Sequence, residues 1–207
     1  MQTDLFGNSK LSNRELTLKS AKEISGLEIY PDFIDRKTET ELLKLIDNSN
    51  WLNDLSRRVQ HYGFKYDYKA RKIDNSFFIG QLPKWLTEIA LKIYDEKYIN
   101  FIPDQAIINE YESGQGIAPH IDCEPCFGDT IISLSLGSSC VMNFEQEPHS
   151  KDKVELFLEP RTLLAMKKDS RYNWYHGIPQ RKNDKFNGET IKRERRVSIT
   201  FRKVIIE

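Results

Sequence analysis

The spacing of hydrophobic and polar positions changes near the middle of the chain, at about residue 100. Before that point, apolar residues recur at helical spacing over 37–48 and over 83–98, which predicts two amphipathic helices. Thr38 is a candidate N-cap for the first helix, and Pro83 lies near the first turn of the second. The first half of the chain is therefore predicted to supply the helices.

The second half consists of short segments that are rich in β-branched and aromatic residues. Several are bounded by Gly, Pro, Asn or Asp, as strands joined by turns usually are. Two helices followed by many short strands predict an α+β fold, a helix-backed double-sheet or jelly-roll barrel. The predicted strand segments are QAIINEYE, TIISLSLG, CVMNFEQ, VELFLE, RTLLAMK and RVSITFRKVII.

Length and composition add limits to this prediction. The chain has 207 residues, 39% of them hydrophobic, and is predicted to form one domain over residues 25–207. Residues 1–24 lack a clear apolar period and are predicted to be an N-terminal extension. No apolar run approaches the roughly 20 residues that span a bilayer, and the polar N-terminus has no signal core. We therefore expect a cytoplasmic protein without a membrane segment, and we expect a monomer.

The charge is balanced overall but unevenly distributed along the chain. The net charge is zero, yet residues 57–72 hold six Lys or Arg against one Asp. Residues 161–203 hold thirteen Lys or Arg against four acids. Such zones are as often a solvated surface as a binding site for a polyanion. Charge alone therefore leaves a nucleic-acid partner open.

The stretch PHIDCEPCFGD, residues 119–129, concentrates metal-binding side chains. His120 and Asp122 are two residues apart, so they point to the same side if the stretch is extended. His176, in the later stretch SRYNWYHGI, is the best placed third ligand. Two imidazoles and one carboxylate form the facial triad of non-haem Fe(II) oxygenases, whereas an H-x-D pair alone is most often an ordinary polar pair.

Cys123 and Cys126 in the same stretch offer a competing metal or redox site. A closed zinc site needs two more Cys or His ligands, and Cys140 is the only other thiol in the sequence. An odd number of cysteines and the lack of a secretion signal argue against a disulfide framework. These thiols are therefore predicted to be packing or loop residues.

The segment RRVSITFR places Arg196 and Arg202 on one face of a predicted strand, with Ser198 and Thr200 between them. Two guanidinium groups that face inward are unfavourable unless they meet an anion, and a small dicarboxylate would satisfy both. Without the metal triad, an exposed edge strand would be the favoured explanation. With it, the pair predicts an iron site beside a dicarboxylate site.

Together these motifs resemble those of the AlkB family of Fe(II)/2-oxoglutarate dioxygenases. The resemblance covers residues 57–203 and rests on NEYESGQGIAPHID, IISLSLGSSCVMNF, SRYNWYHGI and RRVSITFRK, in the order and spacing of the family. It implies a double-stranded β-helix, a distorted jelly roll. It also implies Fe(II), 2-oxoglutarate as cosubstrate and molecular oxygen. By this resemblance His120, Asp122 and His176 are the iron ligands, and Arg171 supports the metal-binding carboxylate.

The same resemblance implies the cosubstrate site. Asn109 and Tyr111 match an Asn-x-Tyr pair that contacts 2-oxoglutarate in the family. Arg196 and Arg202 match paired arginines, which are expected to hold the far carboxylate of 2-oxoglutarate. Ser198 stands where the bacterial repair enzymes usually have asparagine. The pattern Arg-x-Ser-x-Thr-Phe-Arg is instead similar to that of the animal tRNA-modifying members.

Substrate-binding residues are predicted in the basic zone 57–72, where the family has a lid over the target nucleotide. Tyr62, Tyr66 and Tyr68 alternate with basic or polar residues, which suits stacking on bases beside phosphate contacts. Phe64 is predicted to pack in the core instead. A single-stranded nucleic acid is favoured, because a base inside a duplex must first be flipped out.

Glu124 bears on the choice of substrate. In an extended HIDCE stretch it lies on the same side as the metal ligands, where a carboxylate favours cationic bases. The predicted function is therefore oxidative demethylation of alkylated bases, such as 1-methyladenine and 3-methylcytosine, in single-stranded DNA or RNA. The alternatives are hydroxylation of a tRNA wobble-uridine side chain, demethylation or hydroxylation of a protein, and a non-catalytic metal-bound barrel.

Overall fold

A computed structural model describes residues 10–53, 56–67 and 72–206. These ranges contain α-helices, one short 3₁₀ turn and a majority of short strands. In chain order the elements are α1 (Asn13–Ala21), β1 (Leu27–Tyr30), α2 (Arg36–Asp47), β2 (Val59–Tyr62), the 3₁₀ turn (Asn75–Phe77), α3 (Lys84–Asp95), β3 (Gln105–Tyr111), β4 (Ile117–His120), β5 (Ile131–Gly137), β6 (Cys140–Glu145), β7 (Val154–Leu158), β8 (Leu163–Met166), α4 (Lys168–Tyr172), β9 (Tyr175–Ile178), β10 (Asn183–Phe186), β11 (Glu189–Lys192) and β12 (Arg196–Arg202).

The strands form two antiparallel sheets and a separate hairpin. The larger sheet has the order β1-β8-β5-β12-β3-β2, the smaller has the order β4-β9-β6-β7, and β10 pairs with β11. Strand β12 is paired on both sides, with β3 and with β5. Each strand segment predicted from the sequence contains one of β3, β5, β6, β7, β8 and β12. The α+β jelly-roll prediction is confirmed.

Helices α2 and α3 cover the outer face of the larger sheet. Apolar side chains such as Ile46 of α2 and Ile93 of α3 pack in one buried cluster with Ile108 of β3. Side chains alternate across a strand, so Ile108 faces the helices and its neighbour Ile107 faces the other way, into a cavity between the sheets. Across the described ranges, no helix is long and apolar enough to cross a membrane.

The start of α2 differs from the prediction. Its N-cap is Asp35, whose carboxylate accepts the backbone N–H of Thr38 at 2.7 Å. Thr38 therefore lies in the first turn of the helix, and the prediction that it caps the helix is wrong. An aspartate at the N-cap accepts the same unpaired N–H groups that a threonine would, so the sequence offered two plausible caps.

The segment predicted to be an N-terminal extension contains α1. Ser12 and Glu15 form a capping box at its start, which the missing apolar period did not reveal. The hydroxyl of Thr17 accepts the N–H of Phe157 on β7 at 3.0 Å, so α1 packs on the smaller sheet. The boundary of the domain at residue 25 stays a prediction.

Candidate active site

The two sheets enclose a cavity of about 350 Å³. Strands β3, β5, β8 and β12 supply one wall, and β4, β6 and β9 supply the other. Most lining side chains are apolar, and the polar ones converge mainly from β3, β9 and β12 and from β4 with the loop that follows it. A mainly apolar cavity with a few convergent polar groups is typical of a binding site for a small molecule.

The three predicted metal ligands meet at this cavity. One candidate ligand atom from each of His120, Asp122 and His176 lies within 4.8 Å of the other two. His120 and His176 are partners across β4 and β9, and their ring centroids are 4.4 Å apart. Asp122 Oδ2 lies 3.4 Å from His176 Nε2. The pairing of β4 with β9 thus brings together ligands that are distant in the sequence.

The protonation of these side chains suits a metal. The Nδ1 of His120 lies 2.9 Å from the Ala118 carbonyl and donates to it, which leaves Nε2 as the ligand atom. Desolvation and the neighbouring His176 lower the pKa of His120 to about 4, so its ring is neutral near pH 7. Burial alone would raise the pKa of Asp122, but the charge of Arg202 and the contact with His176 hold it well below its usual range. Neutral imidazole and ionised carboxylate are the forms that bind metals.

Arg171 fixes the loop that follows Asp122. It is 2% exposed, and its guanidinium donates to the backbone carbonyls of Asp122 at 3.0 Å, Cys123 at 3.2 Å and Gly128 at 3.2 Å. The resemblance implied that Arg171 supports the metal-binding carboxylate. The structure shows contacts to the main chain of that loop, so any effect on the carboxylate is through the position of the backbone.

The same loop joins Cys123 to Cys126 by a disulfide, with their Cα atoms 5.3 Å apart. The argument from the sequence against a disulfide framework does not hold for this pair. It rested on the number of cysteines and on the N-terminus, whereas the tight turn over residues 124–126 brings these two thiols together. Both cysteines are buried beside the metal ligands, as expected of packing residues in the loop.

The paired arginines of β12 lie at opposite ends of the polar side of the cavity. Arg202 Nη2 donates to Asp122 Oδ1 at 2.6 Å, so Arg202 is at the metal end. Arg196 Nη2 donates to Ser135 Oγ at 2.8 Å, and Arg196 is 3% exposed. Its Nε and Nη1 are buried and have no partner in the part of the chain that the structure describes. Arg202 Nε is likewise buried without a partner among the described residues, so the expectation that both arginines bind 2-oxoglutarate stays a prediction, with Arg196 the better placed of the two for a carboxylate far from the metal.

Asn109 and Tyr111 line the cavity beside Arg196. The Arg196 guanidinium lies over the ring of Tyr111, 5.6 Å from its centroid, and Ser198 is the register partner of Asn109. Arg57 donates from Nε to Asn109 Oδ1 at 2.9 Å and also lies over the Tyr111 ring, at 5.7 Å. The sequence had not singled out Arg57 as a site residue. Its only signal was its place as the first residue of a basic zone.

The tyrosines predicted to bind substrate separate in the structure. Tyr66 lines the cavity and packs against Phe127, with ring centroids 5.6 Å apart. Tyr62 does not line it, because its ring packs edge-on against Trp85 of α3 at 5.7 Å. Tyr62 as a substrate contact outside the cavity stays a prediction, and the prediction for Tyr68 lies outside the described residues.

Glu124 also lies away from the cavity. The chain turns at residues 124–126, and Glu124 is exposed on that turn. The prediction that an extended HIDCE stretch aims Glu124 at the metal is wrong, because β4 ends at His120. Within the described ranges, Asp122 is then the only acid that lines the cavity.

Comparison with known proteins agrees with this geometry. The family described as the 2OG-Fe(II) oxygenase superfamily matches residues 36–202. A solved structure, that of OsALKBH1, superposes with a TM-score of 0.64 at 16% identity, over 86% of this chain and 96% of that one. At this identity the likeness shows a shared fold.

Three relatives are similar in sequence. Uncharacterized protein L905 of Acanthamoeba polyphaga mimivirus is 39% identical over 94% of this chain and 92% of its own length. The alkylated DNA repair protein ALKBH8 homolog of Arabidopsis thaliana is 37% identical over 90% of this chain and 60% of its own. The tRNA (carboxymethyluridine(34)-5-O)-methyltransferase ALKBH8 of Mus musculus is 39% identical over 86% of this chain, but only 30% of its own length is covered. The chain belongs to the 2OG-Fe(II) oxygenase superfamily as an AlkB-like dioxygenase, a class of enzyme that uses Fe(II), 2-oxoglutarate and molecular oxygen.

Proposed function

We propose that this protein hydroxylates the side chain of a modified wobble uridine in tRNA. The charge of the cavity carries the proposal: Arg202 is paired with Asp122 and Arg196 is kept for the cosubstrate, so Arg57 is the cation left to face the base, and the described residues that line the cavity include no acid other than Asp122. A positive cavity disfavours cationic bases such as 1-methyladenine and favours a neutral or anionic base. A uridine that bears a carboxymethyl group, or the methyl ester of that group, is such a base.

Two further features support a tRNA substrate. The mouse relative is named for carboxymethyluridine at position 34 of tRNA, and it shares 39% identity over 86% of this chain. The pattern around Ser198 is similar to that of the animal tRNA-modifying members. This chain matches only 30% of that relative's length. We therefore carry over to this protein only the reaction of the matching portion. The name of the Arabidopsis relative supports a second candidate, oxidative demethylation of alkylated bases in single-stranded DNA or RNA.

The donor set at the metal end fits iron. His120, Asp122 and His176 would hold Fe(II), which supplies oxidation of a C–H group together with 2-oxoglutarate and oxygen. Arg202 keeps Asp122 ionised and oriented through the contact between Nη2 and Oδ1. Apolar residues such as Met142 line the walls of the cavity and would limit the access of water to the reaction.

The opposite end fits the far carboxylate of 2-oxoglutarate. The unpartnered Nε and Nη1 of Arg196 would donate to that carboxylate, which a buried guanidinium requires. Tyr111 packs under the guanidinium, and Asn109 is held by Arg57 at the same wall. Tyr66 lines the cavity and would stack on the target base.

Replacing Arg196 by Lys tests the cosubstrate assignment. The variant keeps the positive charge but loses the planar fork, so the apparent KM for 2-oxoglutarate should rise by roughly ten- to a hundredfold. Initial rates of succinate release over a range of 2-oxoglutarate concentrations measure this. The control is Arg14→Lys, at a half-exposed surface ion pair, which should leave KM unchanged. An unchanged KM in Arg196→Lys would place the cosubstrate elsewhere.

The substrate is tested with the iron-loaded protein, 2-oxoglutarate and a panel of RNA and DNA. The panel contains anticodon stem-loops with 5-carboxymethyluridine, its methyl ester or plain uridine at position 34, and single strands with 1-methyladenine or 3-methylcytosine. We expect succinate release with a gain of one oxygen atom on the modified uridine, seen by mass spectrometry. The exposed Glu124→Gln variant should behave like the wild type. Loss of methyl groups from the alkylated strands, with no oxidation of uridine, would reject the proposal in favour of demethylation.

A further inference from the structure

A second groove lies on the outer face of the smaller sheet, behind the metal ligands. It has a volume of about 590 Å³ and is lined by β4, β6, β9 and the loop between β6 and β7. Asn143 pairs with Gly177, and the adjacent Phe144 pairs with His176. Because side chains alternate across a strand, Phe144 and His176 face inward while Asn143 faces the groove.

Two buried polar atoms at this groove lack hydrogen-bond partners among residues 10–53, 56–67 and 72–206. Asn143 is 9% exposed, and its Oδ1 makes no hydrogen bond. Arg181 donates from Nε to Asp184 at 2.6 Å, but its buried Nη2 is unpaired. Buried polar groups are normally hydrogen-bonded, so an unpaired acceptor and an unpaired donor in one groove point to a ligand that offers both.

The remainder of the groove is shaped and charged for such a ligand. Glu145 is 3% exposed and accepts the N–H of His149 at 2.9 Å, which fixes the loop against the sheet. Lys153 lies at the rim, where it is partly exposed and 3.4 Å from Glu155. The amide of Asn143 in the floor of the groove can pair with the edge of a base, which offers a donor beside an acceptor. The cations Arg181 and Lys153 can contact a phosphate.

The groove adjoins the cavity across one strand. Ile117, Ala118 and Ile178 line both of them. Strand β4 is the edge strand of the smaller sheet, and Ala118 on it is exposed. A single-stranded chain that enters the cavity with one base can therefore cross β4 and place a neighbouring nucleotide in the groove.

We propose that this groove binds a nucleotide that flanks the target base in the substrate RNA. Its base contacts Asn143, and its phosphate lies against Arg181 and Lys153. The inference rests on the proposed function, because it assumes a single-stranded RNA loop as the substrate. It extends that function by a recognition site that is separate from the metal and the cosubstrate. The site would select for the sequence and length of the RNA.

Two variants and one control test the groove. Asn143→Leu removes the hydrogen-bonding amide at similar size, and Lys153→Ala removes the rim charge from a partly exposed side chain, so at least the second should fold normally. Lys151→Ala removes the same charge from an exposed position of the same loop outside the groove. Dissociation constants for a fluorescent anticodon stem-loop are measured on protein loaded with iron and 2-oxoglutarate under nitrogen. We expect binding about three- to tenfold weaker in the first two variants and unchanged in the control.

A crosslink locates the nucleotide directly. A 4-thiouridine placed next to the target position should crosslink to peptides that contain His149 or Gln180 of the groove. Unchanged dissociation constants in both variants, together with crosslinks confined to the cavity, would reject the binding of a nucleotide in the groove. If the protein still oxidises the stem-loop in that case, the proposed function stands. If the wild type neither binds nor oxidises the stem-loop, or takes a peptide in its place, both proposals fail.

Discussion

His176→Ala is expected to abolish iron-dependent turnover of 2-oxoglutarate while the protein stays folded. The variant removes one of three candidate ligand atoms that lie within 4.8 Å of one another. Losing a residue that merely supports a metal ligand weakens metal binding about 10- to 100-fold, so losing a ligand should exceed that range. The fold rests on two large apolar clusters that lie mainly outside the triad. Iron content, succinate release and thermal melting measure the three parts of this expectation.

The disulfide-bonded cysteines provide the comparison for that result. Cys123 directly follows Asp122 and lines the cavity, so this pair would be the competing metal site if its disulfide were reduced. Cys123→Ser and Cys126→Ser should both retain iron. Near-normal decarboxylation by His176→Ala would contradict the triad, and a loss of iron in the cysteine variants as large as in His176→Ala would revive a thiolate site.

The strands that the sequence predicted are β3, β5, β8 and β12 of the larger sheet and β6 and β7 of the smaller one. Their β-branched and aromatic residues sit on pleated surfaces that are covered on one or both faces, which is what such a composition favours. Strands β4 and β9 were not predicted. They read IAPH and YHGI, and their extended form depends on pairing with each other and with β6. Pairing between distant segments cannot be derived from a local pattern.

The same limit explains which site residues were placed correctly by alternation. Arg196, Ser198 and Arg202 share a face of the cavity because β12 is paired on both sides and stays extended. Glu124 was placed by the same rule and is on the surface, because the residues after His120 form a turn instead of a strand. Alternation is reliable only where a neighbouring strand keeps the backbone extended. The metal ligands were proposed from the H-x-D spacing and from the place of His176, and the resemblance of whole motifs then implied the same three residues.

A buried network of charges fastens the β10–β11 hairpin beside the site. Asp184 is 1% exposed and accepts from Arg193 at 2.6 and 2.7 Å, from Arg181 at 2.6 Å and from the N–H of Val141 at 2.9 Å. Arg193, itself 4% exposed, also donates to the Pro179 carbonyl at 2.6 Å, just past the end of β9. The network therefore ties the hairpin to both β6 and β9. Nothing in the local sequence of these residues predicted it.

Asp184→Asn is expected to destabilise the protein strongly. Removing one charge of a buried pair leaves the other uncompensated, which costs about 3–5 kcal/mol. For a chain of this size that corresponds to a melting temperature lower by roughly 6–20 °C. The matched control is Asp32→Asn, in a half-exposed pair with Arg14, which should cost less than about 1 kcal/mol. Equal small losses in both variants, measured by thermal and urea denaturation, would show that the Asp184 network does not hold the hairpin.

The stabilising effect of Asp184 should also depend on pH in a defined direction. Burial alone would raise the pKa of this carboxyl, but the Arg193 guanidinium and the Val141 N–H outweigh it and lower the pKa from its usual value. A carboxyl with a lower pKa in the folded state stabilises the protein above its unfolded pKa of about 3.9, and this stabilisation is lost as the pH falls towards the folded value. The difference in unfolding free energy between wild type and Asp184→Asn should therefore be largest near pH 7 and shrink below about pH 4. A difference that grows as the pH is lowered would mean that Asp184 is not ionised in the native protein.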